Sequence, residues 1–160
     1  MNYHFLDTPI GQLRLVSDGT HLVKIEFAGH YDPSEADLEI CDPVLASCAE
    51  QLTEYFAGKR ECFDLPLAGC GTDFQRAVWS ALAAIPYGQL RSYRDIAQAI
   101  GKPAAVRAVG AANGHNPLPI VVPCHRVIGS DGSLTGFAGG LQMKTQLLEL
   151  EGSLPQQRLV

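Results

Sequence analysis

No apolar run in this 160-residue chain approaches the roughly 20 residues that a membrane-spanning helix needs. The opening segment, Met1 to Ile10, lacks a basic stretch followed by an apolar one, so no secretory signal is read and a cytoplasmic location is expected. Charge is sparse at 18% of residues against 46% apolar, a balance that leaves ample core and excludes a disordered chain. The length suits one ordinary domain or two small ones. The five cysteines (Cys41, Cys48, Cys62, Cys70 and Cys124) are odd in number, and no two form a Cys-x-x-Cys, so a disulfide framework is not expected. Nor is a metal site, because the histidines do not cluster with the cysteines at ligand spacing. The plain expectation for a thiol of this kind is a reduced, small, buried hydrophobe.

Positive charge is also short. The formal net charge of −5 argues against a nucleic-acid partner until its distribution is considered. Residues 1–72 carry 4 Lys/Arg and 12 Asp/Glu, whereas residues 73–160 carry 8 and 5. Only the second half is suited to meet a polyanion.

The first half reads as sheet plus one helix. Tyr3–Asp7, Gln12–Ser17 and Leu22–Phe27 are strand-like runs separated by turn signals at Pro9-Ile10-Gly11 and Asp18-Gly19, the second suited to a hairpin. Pro43 is placed to open a helix through about Phe56, with Asp42 as N-cap and Gly58 as stop. Glu61–Leu67 reads as a further strand, and Ala68-Gly69-Cys70-Gly71 as a linker. Nothing in this half converges on chemistry.

The second half is helical. Thr72 and Gln75 fit a capping box, followed by Phe74, Ala77, Val78, Ala81, Leu82 and Ile85 on one apolar face. Pro86-Tyr87-Gly88 ends that helix. Ser92-Tyr93-Arg94-Asp95 starts another, with Ile96, Ala97 and Ile100 on the side of Tyr93, and Gly101 stops it. Pro103 is placed to start a third, running to about Asn113. Two short helices around a tight glycine turn are a helix-turn-helix candidate. The second of them is rich in small residues, with Arg107 its only charge. Periodicity alone is equally satisfied by a helix packed in the core with Arg107 at its edge.

Ile120-Val121-Val122-Pro123 is an apolar, strand-like run that delivers Cys124-His125-Arg126-Val127. The thiolate is the reactive form of cysteine, and an ordinary thiol is only a few per cent ionised near neutral pH. His125 is a candidate base. Neighbours on an extended chain point to opposite sides, so His125 serves only if the backbone turns there, or through a water.

Asn116-Pro117-Leu118-Pro119-Ile120 with Pro123-Cys124-His125-Arg126-Val127 closely resembles the signature of the O6-alkylguanine-DNA alkyltransferases. The likeness runs from about Phe74 to Gly152. It includes Phe74-Gln75, Val78-Trp79, Ile85-Pro86-Tyr87-Gly88, Ser92-Tyr93, Arg107-Ala108-Val109-Gly110, Gly139-Gly140, Lys144, and Leu147-Leu148 ahead of Glu151-Gly152. The fold class it implies is α+β/α/β. Residues 1–70 would form a small ribonuclease-H-like scaffold, an antiparallel sheet plus helix that resembles the family's first domain in size and element order. Residues 71–160 would form a mainly helical, winged-helix-like domain that binds DNA and carries the chemistry.

The resemblance also implies roles. Cys124 is the alkyl acceptor, His125 its general base through a bound water, and Glu151 the residue that orients His125. Asn116 is a hinge that hydrogen-bonds within the site, and Tyr93 gives a proton to guanine N3. Arg107 enters the base stack and fills the gap left by the extruded guanine. Gln75, Arg94, Lys102 and Ser130 approach phosphates, as does Tyr93 the flipped nucleotide. The implied partner is double-stranded DNA containing O6-alkylguanine, with O4-alkylthymine as a second candidate lesion. The protein acts once, as a monomer, without metal, cofactor or membrane. Without the resemblance, Glu151 reads as a solvated helix-end carboxylate, Asn116 as an Asn-Pro turn and Tyr93 as a half-buried core residue.

Phe137 stands where relatives commonly have tyrosine, and Ala138 where some have serine, which removes hydroxyl donors near guanine O6; Thr135 and Pro119 are assigned to the pocket wall. Three rival readings differ in class. An alkyltransferase-like damage-recognition protein lacks the acceptor cysteine, which is present here. A helix-turn-helix regulator needs several polar side chains on its recognition helix. A cysteine hydrolase needs an oxyanion hole and water access.

Overall fold

The computed structural model describes residues 1–134 and 136–154, so Thr135 lies outside the described residues. The chain forms two compact units, Met1–Cys70 and Gly71–Val160.

In the first unit, β1 (Asn2–Thr8), β2 (Gly11–Ser17) and β3 (Leu22–Phe27) make an antiparallel sheet in that order. The expected turns join them. Thr8 pairs with Gly11 across the first, and Asp18 Oδ1 accepts from the Thr20 and His21 N–H groups at 2.9 and 2.7 Å in the second. The central strand β2 is buried on both faces from Leu13 to Ser17. One face carries Leu13 and Leu15 in the apolar core with Leu45, Leu52 and Tyr55 of α1 (Pro43–Phe56). On the other, the buried Arg14 guanidinium is held by Glu26 at 2.6 Å, Asp37 at 2.7 Å and the Tyr3 ring at 4.6 Å.

The helix α1 begins as expected, with Pro43 in its first turn and Asp42 Oδ1 accepting from Leu45 N–H at 2.9 Å. Asp42 also accepts from the Ser17 hydroxyl and from Asn2 Nδ2, which ties the helix start to β1 and β2. Burial raises the Asp42 pKa, but these donors more than offset that and hold it below the ordinary carboxylate value. A carboxyl so depressed stabilises the fold above its unfolded pKa and loses that contribution as pH falls through its folded one. Asp42→Ala is therefore expected to cost about 2 kcal/mol at neutral pH, through the lost cap and the stranded Ser17 hydroxyl. Urea unfolding at neutral and acid pH measures it, and the gap between variant and parent should narrow in acid.

The strand expected over Glu61–Leu67 does not form. Only Leu67 bridges to Leu22. The Gln51 side chain takes both backbone groups of Asp64, at 2.8 and 2.9 Å, and Pro66 has no N–H to contribute, so no ladder can run. Cys48 is buried, but Cys41, Cys62 and Cys70 are exposed, so the expectation of buried thiols fails for these three.

The second unit opens with α2 (Asp73–Ala83), whose Thr72–Gln75 capping box is present in both directions. Ala77 is exposed, contrary to the apolar-face reading, and Trp79 is buried, donating from Nε1 to Ala112 O at 2.9 Å. Then follow β4 (Arg91–Ser92), α3 (Tyr93–Ala99), α4 (Val106–Gly114), β5 (Val127–Ile128) and α5 (Leu141–Leu150). The helix α4 starts at Val106 rather than at Pro103. Ala105 N–H bonds to Lys102 O at 2.9 Å and closes a separate turn over Pro103 and Ala104. The helices α3 and α4 pack on each other and on α2, in the order expected of a helix-turn-helix. Among the described residues no helix is long and apolar enough to cross a membrane.

Candidate active site

The run before Cys124 is a turn, not the expected strand. Val122 N–H bonds to Leu118 O at 2.8 Å. Asn116 braces the loop from inside, donating from Nδ2 to Val122 O at 2.8 Å and accepting from Leu118 N–H at 3.0 Å. Ile120 at its tip has φ of 75°, the one positive value at a non-glycine among the described residues. For a β-branched residue that conformation costs about 1–3 kcal/mol, and burial of the side chain holds it there. The chain then turns again through a short 3-10 helix, Cys124–Arg126, with Arg126 N–H bonded to Pro123 O at 3.0 Å. The backbone thus bends where His125 needs it to.

Cys124 is 4% exposed and His125 is fully buried. His125 Nε2 lies 2.8 Å from Glu151 Oε2. An ionised carboxylate only accepts, so Nε2 carries the proton and Nδ1 is left as an acceptor. Glu151 is not a solvated helix end: its side chain is fully buried. Arg126 grips it in a two-pronged pair, Nε to Oε1 at 2.8 Å and Nη2 to Oε2 at 3.0 Å, and donates from Nη1 to Ile85 O at 2.6 Å. Two glycines shape this corner. Gly152, at φ of 74°, ends α5 directly after Glu151, and a Cβ on Gly88 would sit 3.3 Å from Glu151 O. The buried Lys144 of α5 donates from Nζ to Val127 O at 2.6 Å.

Burial pushes the Cys124 thiol up to about 11, against opposing effects from an Asn116 hydrogen bond and the Lys144 charge. Burial draws the Lys144 ammonium down to about 8, with Cys124 opposing. Burial also lowers His125 below its ordinary value, against the pull of Glu151. The Cys124 thiol and the His125 imidazole are thus both neutral at rest near neutral pH. Any reaction that needs His125 as base should therefore fail in acid with a midpoint below about 6.5, the ordinary histidine value. The rate of Cys124 modification against pH tests this; a midpoint above that value contradicts it.

Tyr93, half-buried at the start of α3, lies between α4 and the loop before α5. A Cβ on Gly110 would be 4.0 Å from its ring, and one on Gly136 would be 3.2 Å from its hydroxyl. The parallel pairing of β4 with β5, Ser92 opposite Ile128, brings the segment leading into Tyr93 beside the one leaving Cys124. Arg94 and Ser130, each two residues past this pair, are exposed, as are Arg107 near the start of α4 and Lys102. The Lys102 ammonium is 5.6 Å from the Phe74 ring centroid, next to Gln75. Gln75 Oε1 is committed to Thr72 N–H at 3.0 Å. Phe137 is half-buried, Ala138 exposed and Pro119 buried.

Sequence reasoning assigned no role to Arg126, Lys144 or Asn113. A signal existed for Lys144, a charge three and four residues before the buried Leu147 and Leu148 on the apolar face of α5. Arg126 stood inside the cysteine motif. Asn113, buried in α4 with Nδ2 3.4 Å from Cys124 O, offered none.

Both units match known domains. Residues 1–68 match the ribonuclease-like domain of 6-O-methylguanine DNA methyltransferase, and residues 73–153 match its DNA binding domain. The methylated-DNA–protein-cysteine methyltransferase of Mycobacterium tuberculosis (strain ATCC 25618 / H37Rv) is 49% identical over 154 residues, covering 96% of this chain and 93% of its own. That of Methanosarcina barkeri is 50% identical over 153 residues, covering 94% and 97%. The crystal structure of Mycobacterium tuberculosis OGT in complex with DNA superposes with a TM-score of 0.89 at 45% identity, covering 99% of this chain and 98% of that one. On both its domains and across nearly its whole length, the chain belongs to the 6-O-methylguanine DNA methyltransferase family.

Proposed function

We infer that the protein repairs alkylated DNA by moving the alkyl group from guanine O6 to the sulfur of Cys124, once per molecule. The observation that carries this reading is the His125–Glu151 bond, which leaves Nδ1 as a buried acceptor on the residue that follows Cys124, whose thiol needs a base. The thiol proton passes through a bound water to His125, and the growing positive charge is offset by Glu151. Sulfur attacks the alkyl carbon in line. A C–S bond forms as the C–O6 bond breaks, and its electron pair stays on guanine. Tyr93 gives a proton at N3 as that charge develops. The proton held by His125 leaves to solvent and solvent reprotonates the Tyr93 oxygen, so that in balance guanine gains the one hydrogen that the thiol lost. The thioether has no easy hydrolytic exit, and the 4% exposure of Cys124 suits a reagent without turnover better than a hydrolase.

A thiol so enclosed cannot reach O6 inside a duplex, so the base must leave the stack, at a cost of a few kcal/mol. Arg107, exposed on a helix of small residues, would fill the gap while α4 lies in the minor groove. Gln75 Nε2, Arg94, Lys102 and Ser130 would meet phosphates. A monomer acting in the cytoplasm on double-stranded DNA suffices, and O4-alkylthymine offers the same alkyl–oxygen bond.

A duplex carrying one O6-methylguanine with a radiolabelled methyl tests the reading. Label should move to protein and saturate at one methyl per chain, with Cys124→Ser taking none. Release of free methanol with continued turnover would overturn it, as would selective binding without transfer.

A further inference from the structure

Among the described residues, two buried side-chain nitrogen or oxygen atoms have no hydrogen-bond partner: Asn113 Oδ1 and His125 Nδ1. Both residues adjoin Cys124. His125 follows it in the chain, and Asn113, 2% exposed, donates from Nδ2 to Cys124 O at 3.4 Å. That amide orientation is required, since the reverse would face one oxygen with another. Both orphan atoms are therefore acceptors, His125 because its other nitrogen donates to Glu151. Buried acceptors in native proteins are satisfied, and internal water is the usual donor where two or more polar groups converge. One water has two protons to give, and its lone pairs remain for the Cys124 S–H.

We propose that Asn113 is a positioning residue for proton removal from Cys124: its Oδ1, together with His125 Nδ1, holds the water through which the thiol proton leaves. The role rests on the reading of Cys124 as alkyl acceptor and His125 as its base. In the transfer, the water gives one proton to Nδ1 and takes one from sulfur, so the water is regenerated. Its second proton stays bonded to Asn113 Oδ1, which keeps an oxygen lone pair aimed at the thiol. With an apolar side chain at 113 the water has one anchor instead of two, and the lone pair is no longer directed.

The test compares the parent with Asn113→Leu, similar in shape but without an acceptor, and Asn113→Asp. Protonated aspartic acid offers one donor and one acceptor, the pattern of asparagine. Methylation of Cys124 by methyl iodide is followed by peptide mapping, so the exposed thiols do not interfere, from acid to about pH 10. Single-turnover transfer from O6-methylguanine DNA is measured alongside. Asn113→Leu should slow both reactions about tenfold or more at neutral pH and move the methyl iodide profile up by about one pH unit. Asn113→Asp should match the parent's lower rate at the acid end, where its carboxyl is protonated, and fall behind the parent as that carboxyl ionises. Should the leucine variant not fold, Asn113→Met, with a more adaptable side chain, is read in the same way. A profile superimposable on the parent's overturns the proposal, and so does uniform slowing without a shift in pH. If the profile shifts but the parent takes no methyl from DNA, the positioning role stands and the repair function falls.

Discussion

Glu151→Ala is expected to destabilise the second unit by roughly 3–5 kcal/mol, the cost of removing one partner from a buried charge pair. Arg126 is 5% exposed and directs two of its donors at this carboxylate. Without Glu151 the guanidinium keeps Ile85 O and the face of Tyr87, 5.7 Å away, but loses its counter-charge. His125 loses the acceptor that fixes its tautomer, so the proton is free to occupy Nδ1 and block the base. Glu151→Gln separates the two effects. It retains a side-chain oxygen for Arg126, so stability should fall less. Its amide holds His125 poorly, so transfer should still slow. Denaturant unfolding and single-turnover transfer, run on both variants, measure the two separately. Stability of Glu151→Ala within about 0.5 kcal/mol of the parent, the range of an ordinary surface substitution, would contradict the buried pair.

His125→Gln carries the larger expected effect on rate. Glutamine can still donate to Glu151, but it has no nitrogen that accepts a proton. A thiol at about 11 is ionised in only about one molecule in ten thousand at neutral pH. Loss of the base should slow transfer by about 10²–10⁴-fold there. The variant should then gain close to tenfold per pH unit up to about pH 10, as hydroxide replaces the imidazole. The parent, with its base in place, should depend far less on pH over that range. Stopped-flow transfer across pH decides this. A variant with the parent's flat profile would remove His125 from the chemistry.

Local signals were legible where the physics is local. The Thr72–Gln75 capping box, the Asp42 cap, Pro43 and the glycine stops each act within a few residues, and each is found where expected. The errors arose where distant groups decide. Val121 and Val122 look like strand, but the Asn116 amide closes the segment into a turn and burial holds Ile120 at positive φ. Glu61–Leu67 lost its ladder to Gln51, a side chain 13 residues before the Asp64 backbone that it takes. Glu151 looked solvated because the partners that make its burial tolerable, His125 and Arg126, lie 26 and 25 residues away. The pairing of β4 with β5, two residues each, is too short for any periodicity to reveal, yet it brings the Tyr93 and Cys124 segments together. The family motif supplied what spacing could not: which carboxylate and which histidine belong to one site.

Peptide mapping of the protein after one equivalent of O6-methylguanine duplex tests the central claim most directly. One methyl should replace one hydrogen, on the peptide that contains Cys124, with the Cys41, Cys48, Cys62 and Cys70 peptides unchanged. A methyl on one of the exposed thiols, or an unmodified chain that still binds the lesion selectively, would contradict the assignment of Cys124 as acceptor.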